Sequence, residues 1–415
     1  MNAPVGDSGA APAAPWWRDA VFYRLDLRSF ADANGDGVGD LDGARLRLGY
    51  LELLGVDALW LTAVASAPLT DPLRGRGVDP VLGELESFES LVDEAHAAGL
   101  RVAVDVTAQR DRIEQLTAPE HEVFAESARF WLDRGVDALR VASVPGAGAP
   151  AGAAVREVLR ALAPVIADYP GRGVGVLIDE SWFDAYQDHD GWDIGIDLRL
   201  GRTLFDAGEL REVITRMLAS ARMLGVPAVW VVAGEDRTHP VTRFGGGAAG
   251  EARARALALV SLGLPGIVGL DTGEELGLPS AGAGSRSAPP ARGPMPWEGD
   301  EPSFGFSPVP GGWWPMSAEW ADYTVEAQLE DPDSTLSLYR RALELRKEHP
   351  ALRGDEVAWF GAPAGCFAFR REPGALTCAL NASAEPVTLP PGEVLLASGE
   401  LDGDRLPPNT AVWLI

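Results

Sequence analysis

The sequence predicts an α/β fold, a (β/α)8 TIM barrel carrying a small C-terminal antiparallel β domain. Three observations predict it. Short, continuously apolar runs alternate with segments of helical period over most of the chain, which is how a parallel sheet covered on both faces reads. Eight such units over ~330 residues suit a closed barrel better than an open sheet. No glycine-rich dinucleotide fingerprint follows any run, which weighs against the runner-up, a doubly wound open sheet.

Taken in order, Val21–Leu25, Ala58–Leu61, Val102–Val106 and Ala138–Val141 give the first four strands. Val174–Ile178, Ile194–Ile196, Ala228–Val232 and Gly266–Leu270 give the second four, and all eight runs are too short for helices. Between them, Leu41–Leu54, Phe88–Ala98, Val123–Leu132 and Ala154–Ile166 repeat apolar residues every three or four positions, as do Leu210–Leu224, Glu251–Leu262 and Thr335–Glu348. Ser280–Gly293, rich in Gly, Ser, Ala and Pro, interrupts the eighth unit and reads as an exposed loop. After Pro350 the rhythm changes. Val357–Phe360, Phe367–Arg371, Leu376–Leu380, Val394–Leu396 and Ala411–Ile415 are short strands separated by turn residues. The expected division is a disordered tail over 1–15, the barrel over 16–352 and a sandwich-like β domain over 353–415.

With 415 residues, 46% hydrophobic and 23% charged, the chain can bury a large core. Its formal net charge of -26 excludes nucleic acid and an anionic membrane as partners, since both attract positive charge. Cys366 and Cys378 cannot form a disulfide framework or ligate a structural zinc alone, and they read as small apolar core residues. Met1–Pro15 lacks the basic and apolar regions of a signal peptide, and no apolar run reaches the ~18 residues of a membrane span. The expected location is the cytoplasm.

Six segments carry a resemblance. Trp16–Phe30, Asn34–Leu41, Leu51–Leu61, Gly273–Leu278, Pro294–Trp297 and Leu336–Leu352 resemble the α-amylase/α-glucosidase family of glycoside hydrolases, family 13, and within it the bacterial oligosaccharide α-glucosidases. The resemblance implies a (β/α)8 barrel, an excursion called domain B after the third strand, and a C-terminal β domain. Between Val106 and Asp137 there is room for a short loop and one helix only, so domain B is expected to be missing and the barrel mouth open.

Retaining glycosidases hold two carboxyl groups about 5–5.5 Å apart, one a nucleophile and one an acid/base. A barrel presents such groups at the C-terminal ends of its strands. The resemblance implies a nucleophilic aspartate two residues after an arginine on the fourth strand; Arg140 matches the arginine, and Ala142 stands in the aspartate's place. It implies an acid/base glutamate after a valine-glycine pair on the fifth strand, where Val176 stands instead. A short slip of alignment would make Glu180 a substitute acid, against its plainer reading as a solvated loop or helix-capping carboxylate. Asp236 matches the family's third carboxylate, with Glu235 in place of a sugar-binding histidine. Asp105 and Arg140 match substrate-binding positions, while Gln109 and Arg110 replace an asparagine-histidine pair. A tyrosine-aspartate pair expected before Val78–Gly83 is deleted. Retained Asp105, Arg140 and Asp236 either bind sugar or form a buried charge cluster at the barrel top.

Losing a covalent nucleophile costs ~10⁶-fold in rate. The expected protein is therefore a pseudoenzyme with a binding or interaction role, its partner a small α-glucoside or another protein. The alternative is a weak or altered hydrolase of small α-glucosides working through Glu180 and Asp236.

The segment from Asp32 to Asp40 places oxygen donors of Asp32, Asn34, Asp36 and Asp40 at alternate positions, with the Val38 carbonyl between them, which is a pattern that suits a hard cation. Gly43 stands where an EF-hand needs a glutamate. The resemblance implies a structural Ca²⁺ in this first βα loop; the plainer alternative is a solvated turn. Trp297, Trp313, Trp314 and Trp320 gather in the last βα loop, where they could stack on a sugar or seal a loop core.

Overall fold

The computed structural model describes residues 14–62, 64–65, 76–109, 118–144, 152–178, 192–233, 238–280, 293–301 and 303–415. Its first sheet holds β1 (Val21–Asp26), β2 (Ala58–Thr62), β3 (Arg101–Gln109), β4 (Ala138–Val144), β5 (Gly173–Ile178), β6 (Ile194–Asp197), β7 (Val229–Val231) and β8 (Ile267–Asp271). These strands are parallel and hydrogen-bonded in the order β6-β5-β4-β3-β2-β1-β8-β7. β6 also lies against β7, so the sheet curls into a nearly closed barrel. Helices Leu85–Ala97, Ala118–Leu132, Gly152–Ala167, Ala207–Leu224, Gly247–Gly263 and Thr335–Glu348 cross back outside it.

The crossover after β1 differs from expectation. In place of one helix over Leu41–Leu54 there are two, Leu41–Leu46 and Leu48–Leu54, broken at Arg47. A tertiary pull explains the break: the Arg47 guanidinium lies 4.5 Å from the Trp297 ring centroid and donates to the Gly305 carbonyl at 3.2 Å. The second helix ends at Gly55, whose φ of 91° closes a left-handed cap that a side chain would strain.

Side chains alternate across each strand, and this sorts the apolar residues into two cores. Phe22, Ala58, Trp60, Ala103, Ala138, Ile194, Ile196, Val229, Val231 and Ile267 fill the lumen. Tyr23, Leu25, Leu59, Val104, Leu139, Val141, Val174 and Val176 face the helices.

The C-terminal region forms a five-stranded antiparallel sheet in the order β13-β15-β11-β10-β9 and a two-stranded ribbon, β12-β14. The sheet strands are β9 (Glu356–Phe360), β10 (Cys366–Glu372), β11 (Thr377–Asn381), β13 (Val394–Ala397) and β15 (Thr410–Leu414); the ribbon pairs β12 (Val387–Thr388) with β14 (Arg405–Leu406). One sheet face sends Phe367, Phe369, Cys378, Leu380 and Trp413 into the outer barrel core. The other face, with Ala368, Ala379, Val412 and Leu414, is covered by Leu406 and Val387 of the ribbon. Trp413 Nε1 donates to the Leu259 carbonyl at 3.0 Å, and a Cβ on Gly263 would lie 2.8 Å from that same nitrogen, so the glycine admits the indole. Among the described residues no helix is long and apolar enough to cross a membrane.

Candidate functional site

At the upper end of the lumen, charged side chains interrupt the apolar strands in one layer. In-register pairs are Arg24 with Asp271, Arg24 with Trp60, and Asp105 with Arg140. Asp105 Oδ1 accepts from Trp60 Nε1 at 2.6 Å and from Arg140 Nε at 2.7 Å, and Asp105 Oδ2 accepts from Arg140 Nη2 at 2.5 Å. This is the bidentate fork that planar guanidinium and carboxylate groups favour. The Arg140 guanidinium also lies 4.2 Å from the Trp60 ring centroid. Arg24 stands 5.8 Å from the same centroid and pairs with Asp271 at 3.1 Å. Asp105 is 7% exposed. These groups hold one another; an ion pair closed in this way can order a barrel top but offers no free acid or nucleophile.

Ala142 lies on β4 two residues beyond Arg140, in register with Thr107 of β3. Val176, expected to stand at the acid/base position, packs in the outer core with Val174, and the lumen side of β5 is taken by Gly175. Gly175 lies in register with Arg140 and with Ile194, which sets the parity of the strand. No side chain at position 176 would reach a substrate in the mouth. Asp236, Glu235, Glu180 and Arg110 lie outside the described residues.

The lumen encloses about 30 Å³, lined by Phe22, Trp60, Ala103, Arg140, Ile196 and Val231 among others. That holds about one or two waters and falls far short of the ~300 Å³ of a small-ligand pocket. Below the mouth the barrel is packed core.

In the first βα loop each acidic side chain caps backbone N–H groups. Asp32 accepts from Gly35 and Gly37 at 2.7 and 2.8 Å, Asn34 from Asp36 at 2.8 Å, and Asp36 from Val38 at 2.8 Å. Asp40 accepts from Ala33 and Asn34 at 3.1 Å and from Gly43 at 2.6 Å. Asp40 Oδ2 accepts two of these bonds and is filled, but each other oxygen accepts one and keeps a lone pair, an all-oxygen donor set of the kind a hard cation takes. Among the described residues no group of three His, Cys, Asp or Glu side chains converges as a metal site would require. Of the four tryptophans in the last βα loop, Trp297 donates to the Phe30 carbonyl at 2.8 Å and packs edge-on against Phe30 and Tyr50. It and Trp320 are buried and seal the loop, whereas Trp313 and Trp314 are half-buried.

Sequence reasoning missed the partners of Asp105, namely Trp60, and the Arg24–Asp271 pair beside it. The available signal was a charge inside an apolar parallel strand, at Arg24 and at the end of β8. It also took Gly273–Leu278 only as a family motif. Glu275 Oε1 there accepts from the hydroxyls of Tyr23 and Tyr50 at 2.8 and 2.7 Å, and Glu274 Oε1 accepts from Tyr339 at 3.1 Å. Burial pushes the Glu274 carboxyl up to about 8, helped by the charge of Asp271, and the Glu275 carboxyl up to about 7. Tyr23, Tyr50 and Tyr339 belong to the outer core, so this cluster lies behind the barrel wall rather than in its mouth.

Comparison with known proteins matches residues 27–129 and 199–355 to the model of the α-amylase catalytic domain, well over half of the chain. Residues 352–413 match a domain of unknown function, DUF3459. A probable α-glucosidase of Rhizobium meliloti (strain 1021) is 26% identical, with 91% of each chain covered. That alignment runs over 503 positions, more than this chain has, so the relative carries segments that this chain lacks. The crystal structure of an α-glucosyl transfer enzyme, XgtA, superposes with a TM-score of 0.80 at 27% identity, covering 97% of this chain and 100% of that one. The trehalulose synthase MutB from Pseudomonas mesoacidophila MX-45 gives 0.81 at 22% identity over the same shares, a likeness of fold. An inactive double mutant of MutB has been solved in complex with isomaltulose.

Proposed function

The chain belongs to the α-amylase family, and from that premise we propose that it is a non-hydrolysing member whose barrel binds a small α-glucoside or a protein partner. One observation carries the reading. The β4 position two residues beyond Arg140, where a retaining member needs its nucleophile, is Ala142, and Arg140 itself is closed onto Asp105. A methyl group cannot form a glycosyl-enzyme bond, so the double displacement has no first step. Loss of a nucleophile weakens catalysis ~10⁶-fold, or about 8 kcal/mol of barrier. The names of the relatives, an α-glucosidase and an α-glucosyl transfer enzyme, favour an α-glucoside as the ligand class.

The same proposal includes a structural Ca²⁺ in the first βα loop, for which Asp32, Asn34, Asp36, Asp40 and the Val38 carbonyl would have to gather from where the side chains now cap N–H groups. The ion would brace the loop and take part in no chemical step.

The test is turnover of an aryl α-glucoside and of maltose by purified protein, with Glu180→Gln in parallel. The expected rate is the buffer rate for both proteins. Release of glucose that Glu180→Gln abolishes would establish the other reading, a hydrolase working through Glu180 and Asp236.

A further inference from the structure

We propose that the floor of the barrel carries a binding site for a phosphate dianion, in the cleft where the barrel's N-terminal end meets the β domain. The site lies at the opposite end of the barrel from the mouth and stands independently of the function proposed above. The cleft has a volume of about 390 Å³ and is walled by the start of β1, the end of helix Thr335–Glu348, the connection that follows it, and β10. That size falls within the ~300–1,000 Å³ of small-ligand sites, which the lumen does not approach.

The charges in this cleft do not balance. Lys347 Nζ lies 3.0 Å from Asp57, and Arg101 lies 3.1 Å from buried Asp137, so both of those cations have counter-charges. Arg346, Arg371 and Arg353 remain, with Asp19 as the remaining carboxylate of the cleft. Arg346 donates to the carbonyls of Leu262 and Leu264 at 2.6 and 2.8 Å and to that of Gly266. Arg371 donates to the Gly354 carbonyl through Nε and Nη2 at 3.2 and 2.6 Å. Their exposures are 8% and 3%. Carbonyls satisfy donors without neutralising a cation, and buried charges are ordinarily paired. Among the described residues neither guanidinium is paired with a carboxylate, and Arg346 Nε is buried with no partner at all. Burial and the neighbouring charge of Arg346 lower the Arg371 pKa to about 9, as a cation without its counter-ion should show.

Three guanidiniums against one carboxylate leave two positive charges in excess, in a chain whose net charge is -26. Such a local reversal of sign calls for an anion. Planar guanidinium forks match phosphate oxygens, and a dianion with several acceptors answers both the charge and the idle N–H groups. Half-buried Trp16 borders the same cleft, leaving an aromatic wall for the organic part of a phosphate monoester such as a sugar phosphate.

The experiment is thermal denaturation of the full chain at fixed ionic strength, titrated with inorganic phosphate, glucose 6-phosphate, glucose or chloride. A melting temperature that rises with both phosphates, and with neither glucose nor chloride, is the expected result. Glucose 6-phosphate acting at about tenfold lower concentration identifies a phosphate monoester as the ligand; equal potency assigns the site to the phosphate group alone. Arg353→Gln removes an exposed side chain and is expected to fold normally while weakening phosphate about tenfold, and Arg371→Gln to abolish the effect. No stabilisation by millimolar phosphate beyond that of chloride overturns the proposal. So does an unchanged phosphate response in Arg353→Gln, whether or not Arg371→Gln folds.

Discussion

Asp105 accepts three hydrogen bonds in a pocket almost closed to water, two from Arg140 and one from Trp60. The fourth acceptor site of the carboxylate, on Oδ2, stays open to a sugar hydroxyl, whereas breaking the pair itself would cost ~3–5 kcal/mol. The pair therefore holds its shape. Glu274 and Glu275 present the opposite case, carboxyls whose ordinary value of 4.5 is raised to about 8 and about 7 by burial. Between those values and 4.5 the folded chain keeps protons that the unfolded chain has released. Stability is then greatest below the unfolded value and falls as pH rises through the folded values, by on the order of a few kcal/mol. The urea midpoint is accordingly expected to be lower at pH 9 than at pH 6, with Glu274→Gln flattening the difference. A midpoint that rises over that interval would contradict this assignment.

At the scale of elements, the loop from Asp32 to Asp40 joins β1 to its helix, and Asp40 caps that helix through the Gly43 N–H. If the loop also holds Ca²⁺, the ion adds stability by mass action, about 2.7 kcal/mol at a hundredfold excess over its dissociation constant. For a chain of this size that is a shift of several degrees. Chelation should lower the melting temperature by that amount, and Asp36→Ala, which gives up a single exposed bond to the Val38 N–H, should remove the difference. Identical melting curves with and without calcium would reduce the loop to a self-capped turn. The strands were legible element by element because both faces of each are buried, so each reads as an uninterrupted apolar run. Two features were not. The break at Arg47 depends on Trp297, 250 residues away in the chain, and local periodicity carries no trace of it. The side of β5 that Val176 takes was not legible either, because Val-Gly-Val offers no polar side chain from which to count parity.

For the molecule as a whole, the strands separate a lumen core from an outer core, and the C-terminal sheet extends the outer core with Trp413 and its neighbours. The C-terminal antiparallel sheet was legible as a change of period after Pro350. The charge layer was half legible: Asp105 and Arg140 could be named from the motif, but their mutual closure across Trp60 is a tertiary fact. A barrel so built has a packed lumen and an ion pair across its top, and the proposed function adds that Ala142 stands where glycosyl transfer would begin. The direct test of that account is intact-mass measurement after incubation with a fluorinated α-glucosyl fluoride, a reagent that transfers its sugar to a nucleophile readily but leaves it slowly. The account predicts an unchanged mass. A stoichiometric gain of one fluoroglucosyl group, on Glu180, Asp236 or any other carboxylate, would contradict it.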